Sequence, residues 1–67
     1  MQKIQYTKRG DIIAAERGNY RILFIPDDLG MKYRVQTIQS GKWKTVFYAG
    51  THGECEEYIR KAKGALR

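Results

Sequence analysis

A run of basic and aromatic side chains between residues 32 and 48 is the part of this sequence best suited to chemistry, and that chemistry is the binding of a polyanion. The run is divided by Ser40-Gly41, a pair typical of a tight turn between two strands. Basic side chains neutralise phosphates, and aromatic rings stack on nucleic-acid bases. The candidate nucleic-acid contacts are Lys32, Arg34, Lys42, Trp43 and Lys44.

Trp43 admits two interpretations. It is the only tryptophan, and it could stack on bases with Arg34 and Phe47 beside it on one face of a sheet. It could instead form the core with Ile38 and Phe47, which is the commoner place for a large aromatic side chain in a small domain. The sequence alone leaves both interpretations open.

The remaining reactive residue types predict no catalytic site, no metal site and no cofactor. The chain has one cysteine, one histidine and no glycine-rich phosphate loop, so it lacks a nucleophile–base set and a spaced group of metal ligands. Cys55 is predicted to be a buried, unreactive thiol, and His52 a solvated turn residue. Lys8 and Arg9, next to Gly10, form a basic loop that could contact phosphates. The sequence therefore predicts a protein that is not an enzyme.

Length and charge favour a small binding domain. The 67 residues predict a single small domain spanning 1–67, with a net charge of +6. Residues 1–50 hold nine of the basic and four of the acidic side chains, so most of the positive excess precedes the end of the chain. Such an excess favours an anionic partner, with DNA preferred over RNA.

Nothing in the sequence predicts a membrane partner or export. The residues Met1-Gln2-Lys3-Ile4-Gln5-Tyr6 lack the apolar run of a signal peptide, and no stretch is long and apolar enough to span a bilayer. A single cysteine allows no internal disulfide. We therefore expect a cytoplasmic protein.

Short runs of β-branched and aromatic residues, separated by glycine-containing turns, predict an antiparallel sheet over about residues 2–48. The predicted strands are 2–7, 11–17, 20–25, 32–39 and 42–48. The Gly18-Asn19 turn pairs Glu16 with Arg21, Ala15 with Ile22, and Ile13 with Phe24. The Ser40-Gly41 turn pairs Gln39 with Lys42, Ile38 with Trp43, Val35 with Val46, Arg34 with Phe47, and Tyr33 with Tyr48.

A C-terminal helix is predicted over about 51–66. Thr51 and Glu54 have the spacing of a capping box, in which each side chain accepts a hydrogen bond from the other residue's backbone N–H. An apolar stripe at helical spacing would face the sheet: Cys55, Tyr58, Ile59, Ala62 and Leu66. One helix covers only one sheet face, so the other partly apolar face must curl on itself, pair with another subunit or receive a ligand.

Residues 43–58 resemble the end of the AP2-like DNA-binding domains, which include the arm-binding domains of tyrosine integrases. The run Trp43-Lys44-Thr45-Val46-Phe47-Tyr48 leads through a threonine cap into a helix, as in that family, although Cys55 replaces the usual alanine. The resemblance implies a three-stranded sheet presented to the DNA major groove with the helix behind it. By this resemblance, Arg34, Lys42, Trp43 and Lys44 would contact DNA.

Together these features predict an α+β fold, in which a curled antiparallel sheet of four to five strands is backed by one C-terminal helix. The predicted function is non-enzymatic binding of nucleic acid, preferably double-stranded DNA. The alternative is a protein–protein interaction module, such as a small regulator or inhibitor from a mobile element, or a homodimer. That alternative would use the surplus apolar sheet face.

Overall fold

The computed structural model describes the chain from residue 4 to residue 65, and it has the predicted α+β architecture. Five antiparallel strands form one open sheet in sequence order, and a single helix follows them. The elements are β1 (Gln5–Tyr6), β2 (Ile12–Arg17), β3 (Tyr20–Phe24), β4 (Tyr33–Gln39), β5 (Lys42–Ala49) and α1 (His52–Ala65). Residues 2 and 3 of the first predicted strand lie outside the described residues.

The two predicted hairpin turns are confirmed. Arg17 pairs with Tyr20 across Gly18-Asn19, and Gln39 pairs with Lys42 across Ser40-Gly41. Both Ser40 and Gly41 have positive φ, at 50° and 78°. Positive φ at both central residues is the geometry whose twist suits a two-residue hairpin.

A bulge in each hairpin shifts part of the predicted register by one residue. In the first hairpin the shift falls between Ile13 and Ala15, so that Phe24 pairs with Ile12 and the predicted Ile13–Phe24 pair is wrong. The predicted partners of Glu16 and Ala15 are confirmed. An extra residue on one strand offsets every pair beyond it.

The second bulge lies in β5, around Val46, and it changes which aromatic side chain faces which side. Beyond it Val35 pairs with Phe47 and Arg34 with Tyr48, whereas the sequence had predicted Val46 and Phe47 as their partners. Tyr33 pairs with Ala49 instead of Tyr48. The Phe47 side chain therefore lies on the helix side of the sheet. Tyr48 pairs with Arg34, the position that had been predicted for Phe47.

The core lies between the sheet and α1. Its buried members are Ile22, Val35, Ala49, Cys55 and Ile59. The Phe47 and Tyr58 rings stack beside this cluster, with centroids 4.5 Å apart and planes 13° apart. This packing confirms that α1 covers one face of the sheet and that the thiol of Cys55 is buried.

Thr51 starts the helix as predicted, since its hydroxyl accepts a 3.3 Å hydrogen bond from the backbone N–H of Glu54. Within the predicted apolar stripe Cys55 and Ile59 are buried and Tyr58 is half-buried. Leu66 lies outside the described residues. An ion pair of 2.6 Å between Arg17 and Glu56 ties the end of β2 to the helix.

Candidate nucleic-acid interface

Three polar side chains form a row across the sheet face that α1 leaves open. Arg21 on β3 pairs with Gln36 on β4, which in turn pairs with Thr45 on β5. The Arg21 Nε donates to the Gln36 Oε1 at 2.7 Å, and the Gln36 Nε2 donates to the Thr45 Oγ1 at 3.0 Å. These two bonds fix the orientation of the Gln36 amide and hold the Arg21 guanidinium in place.

Trp43 belongs to the same open face. The Arg21 guanidinium carbon lies 4.3 Å from the centroid of the Trp43 ring, a cation–π contact that adds a second restraint on the arginine. Trp43 is 38% exposed and lies outside the core cluster. Of its two interpretations, the core position with Ile38 and Phe47 is therefore excluded.

Arg34 lies on this face two residue pairs further along the strands, where it pairs with Leu23. Its guanidinium carbon is 5.3 Å from the Tyr48 ring centroid, and its Nη2 is 3.5 Å from the Asp28 Oδ2. The Arg34 Nε is buried and has no hydrogen-bond partner among residues 4–65. A buried donor without an acceptor is costly, so an incoming ligand oxygen at this position would be stabilised.

The two arginines open into a cleft of about 530 Å³ on the helix-free face. The cleft is lined from both ends of the sheet, by the β1–β2 turn and by the β4–β5 turn, which shows that the sheet curls toward this side. Five basic side chains and one acidic side chain, that of Asp11, line it. The basic residues are Lys8, Arg9, Arg21, Arg34 and Lys42.

Five of the seven contacts predicted from the sequence meet in this cleft: Lys8, Arg9, Arg34, Lys42 and Trp43. Lys32 and Lys44 do not line it. Lys44 pairs with Thr37, and Thr37 with Tyr20, whose side chain packs against the core cluster. Side chains in one such row share a face, so Lys44 lies on the helix side, away from Trp43.

Arg21 lines the cleft, although it was not among the contacts predicted from the sequence. From the sequence it was predicted only as the cross-strand partner of Glu16, a pair that the structure confirms. Extending the register from β3 through Gln36 to Thr45 would have placed it beside Trp43. That step needed the β3–β4 pairing, which joins strands across the long loop 25–32 and has no turn signal to set it.

The electrostatic setting keeps the cleft positive. Burial lowers the pKa of the Arg21 guanidinium, while the nearby carboxylates of Glu16 and Asp11 raise it. An arginine remains protonated at neutral pH under such opposing effects. For Asp28, the backbone N–H of Gly30 is the main cause that lowers the pKa, and Arg34 adds to it. Asp28 is therefore a charged competitor for Arg34.

The rest of the described chain offers few other groups for chemistry. Residues 4–65 contain no cluster of three side chains that could hold a metal ion, and no helix in that range is long and apolar enough to cross a membrane. His52 is half-buried at the start of α1, where its ring meets the edge of Tyr33 at 6.0 Å. Its side chain is 41% exposed, in agreement with the predicted solvated position, although the residue begins the helix instead of lying in a turn.

Comparisons with protein families, with characterised proteins and with solved structures find no match for this chain. The resemblance of residues 43–58 to AP2-like domains stays a prediction.

Proposed function

We propose that this protein is a small, non-enzymatic nucleic-acid-binding protein that binds double-stranded DNA on the helix-free face of its sheet, with phosphates of the DNA backbone entering the cleft there. The observation that carries the proposal is the pair of arginines, Arg21 and Arg34, on the cleft floor beside Trp43. Arginines held by stacking and hydrogen bonds are suited to phosphate groups, since little side-chain entropy is lost on binding.

The positions of the basic side chains support phosphate contacts at two levels. Lys8 and Arg9 lie on one rim of the cleft, and Lys42 on the other. These exposed side chains would neutralise backbone phosphates at the rims. On the floor, a phosphate oxygen would give the buried Nε of Arg34 the acceptor that it lacks, and would replace the long 3.5 Å contact with Asp28.

The stacking of Arg21 on Trp43 favours a duplex over a single strand. Single-strand binding relies on bases that stack on free aromatic faces. One face of the Trp43 ring is already taken by the guanidinium at 4.3 Å. Binding through phosphates, which a duplex presents on its outside, needs no free ring face.

A salt titration tests the proposal. A fluorescently labelled DNA duplex is titrated with protein at several salt concentrations between about 50 and 200 mM, and affinity is read from anisotropy. We expect a steep linear fall of log affinity with log salt, of slope about −0.9 for each phosphate contacted. A single strand of the same length should bind more weakly. Absence of duplex binding at the lowest salt would reject the proposal.

Charge reversal locates the contact surface. The double variant R9E/K42E changes the charge on the cleft rims, and K61E/K63E makes the same change on the exposed side of α1. The rim variant should lower duplex affinity at least tenfold and reduce the salt slope by about 2, because two phosphate contacts are lost. The helix variant should keep the wild-type slope. Equal effects of the two variants would mean that only net charge matters.

A protein-interaction module is the second candidate, and the exposed side chains of the open face favour it. Trp43, Ile38 and Tyr48 all keep more than a third of their surface accessible there. A partner or a second copy could cover them. Salt-insensitive dimerisation, with Trp43 fluorescence shielded from a soluble quencher, would support this candidate over nucleic-acid binding.

A further inference from the structure

The outer edge of β5, together with the helix side of that strand, is a second surface suited to binding. β5 stands last in the sheet order and spans Lys42–Ala49. It pairs with β4 on one side, and no strand among residues 4–65 pairs with the other. An unpaired edge presents backbone N–H and C=O groups that an added strand can use.

A groove runs beside this edge on the helix side. It measures about 560 Å³, and the stacked rings of Phe47 and Tyr58 contribute to its wall. Thr51 and Gly53 line the end of the groove at the start of α1. An added strand on β5 would direct alternate side chains toward this groove, because side chains along a strand alternate between its faces.

The bulge around Val46 sets the spacing that such a strand must have. Phe47 and Lys44 stand three positions apart in β5, but they pair with Val35 and Thr37, which are two positions apart in β4. The two β5 side chains therefore share the helix-side face. Consider a regular strand that pairs with the outer edge of β5 and runs antiparallel to it. If one of its residues lies opposite Phe47, the residue two positions later lies opposite Lys44.

The charge of Lys44 favours an acidic residue at the position of the added strand that lies opposite it. Lys44 is exposed and forms no ion pair within the described residues. The groove itself is lined by two carboxylates, Glu54 and Glu57, and by Lys61, so it suits an uncharged side chain, whereas Lys44 lies on the strand outside the groove lining. Glu57 already pairs with Arg60 at 2.5 Å and with Lys61 at 3.7 Å. An acidic residue opposite Lys44 would form a favourable cross-strand pair. A second copy of this chain carries the same +6 charge, which disfavours self-pairing at the edge.

We propose that β5 and the adjacent groove bind an extended segment of a partner protein, with one carboxylate opposite Lys44, as a sixth, antiparallel strand. The segment would place a bulky aliphatic side chain in the groove beside Phe47 and a carboxylate two residues later against Lys44. The backbone edge supplies hydrogen bonds, the groove selects the apolar residue, and the lysine fixes register and direction. β5 contributes Lys42, Trp43 and Thr45 to the DNA cleft, but no residue that lines the groove also lines the cleft.

Synthetic peptides test the proposal. The probe is an octapeptide of threonines with a single leucine followed two positions later by a glutamate, and the control peptide has the leucine and glutamate exchanged. Each is titrated into the ¹⁵N-labelled protein, and amide shifts are followed by NMR. We expect shifts in β5 and the first half of α1, with the control peptide binding about two- to fivefold more weakly.

A charge swap identifies Lys44 as the contact. K44E should weaken the leucine–glutamate peptide by a similar factor, and a peptide with lysine in place of glutamate should recover affinity for that variant. K32E makes the same charge change in the loop before β4, outside the groove, and should leave binding unchanged. The proposal is overturned by shifts confined to residues 8, 9 and 21, by equal binding of both peptides, by no shifts at millimolar peptide, or by a dimer formed through this edge. K44E should keep wild-type affinity for the DNA duplex, because Lys44 does not line the cleft. A failure of peptide binding can therefore be told apart from a failure of DNA binding.

Discussion

The two faces of the sheet exclude water from apolar residues in different ways. On the helix side Ile22 is fully buried against residues of α1 such as Cys55 and Ile59. On the open side the neighbouring Leu23 is only 1% exposed, yet it lies outside that core cluster and lines the cleft with Arg21 and Arg34. One residue is covered by other apolar side chains, and its neighbour lies among charged ones.

The difference shows how a small sheet can keep one face charged and accessible without a second layer. The aliphatic stems of arginine can cover an apolar residue while the charged ends stay accessible. On the open face, Gln36 and Trp43 hold one arginine, and Tyr48 and Asp28 contact the other. We infer that the helix face supplies most of the stability and the open face most of the chemistry.

The largest expected effect comes from opening a cavity on each face. Ile22→Ala should lower the free energy of unfolding by about 3–4 kcal/mol, because the helix-side core is closed and can relax only partly. Leu23→Ala should cost about 2 kcal/mol, since Leu23 borders the open cleft and water can enter the space. Urea unfolding followed by circular dichroism measures both values.

Ile38→Ala serves as the control, because Ile38 is 39% exposed and its truncation should cost less than about 1 kcal/mol. A domain of this size has only a few kcal/mol of total stability, so Ile22→Ala should leave it near the limit of folding. Equal costs for Ile22 and Leu23 would show that the open face is packed as tightly as the core.

The sheet and helix could be predicted well because their signals are local. Turns at Gly18-Asn19 and Ser40-Gly41 set the hairpins, and Thr51 set the start of the helix. The bulges in β2 and β5 could not be predicted, because both faces of these strands carry apolar residues, so a one-residue shift still leaves apolar side chains facing the core. That single uncertainty reversed the faces assigned to Phe47 and Tyr48.

The residues of the candidate site could be predicted where residue type alone identified them. They could not be predicted where their position depended on how the strands pair. Basic turn residues such as Lys8 and Lys42 were identified, and the structure places them on the same cleft. Lys44 was grouped with Trp43 by proximity in the chain, although alternation separates their faces. Arg21 was missed because its role arises only when three strands are aligned.

The second prediction concerns the chemistry that the helix face suppresses. Burial is the main cause that raises the pKa of the Cys55 thiol from its ordinary value of 9.0 to about 11, with Glu54 and Glu56 adding to it. The protonated thiol is thus the form that the fold favours. A disulfide reagent should label Cys55 at pH 8 at least about a hundredfold more slowly in the folded protein than in urea.

The same shift predicts loss of stability at high pH. Because the folded-state pKa is raised, the stabilising contribution of the protonated thiol is complete below pH 9 and is lost as the pH rises through about 11. Cys55→Ala removes this dependence and leaves every other side chain unchanged, so the difference between the two proteins isolates the thiol. In the labelling experiment, rapid modification of Cys55 at pH 8 in the folded protein would contradict a closed helix–sheet core, because it would mean that the helix opens readily.

The smallest expected effect is the coupling between Arg21 and Trp43, and it separates positioning from binding. A double-mutant cycle with Arg21→Gln and Trp43→Leu should give a coupling of about 0.5–1 kcal/mol in the free energy of unfolding, typical of an exposed cation–π contact. Phe47→Leu, which disturbs the Phe47–Tyr58 stack on the helix face, should cost more stability than Trp43→Leu.

The same cycle, measured on DNA affinity, shows what the open face contributes. If Trp43 acts by holding Arg21, then Trp43→Leu should weaken duplex binding in the wild type but have little further effect in Arg21→Gln. If Trp43 instead contacts DNA directly, the two losses should add. The cycle thereby distinguishes an aromatic ring that positions an arginine from one that binds the ligand itself.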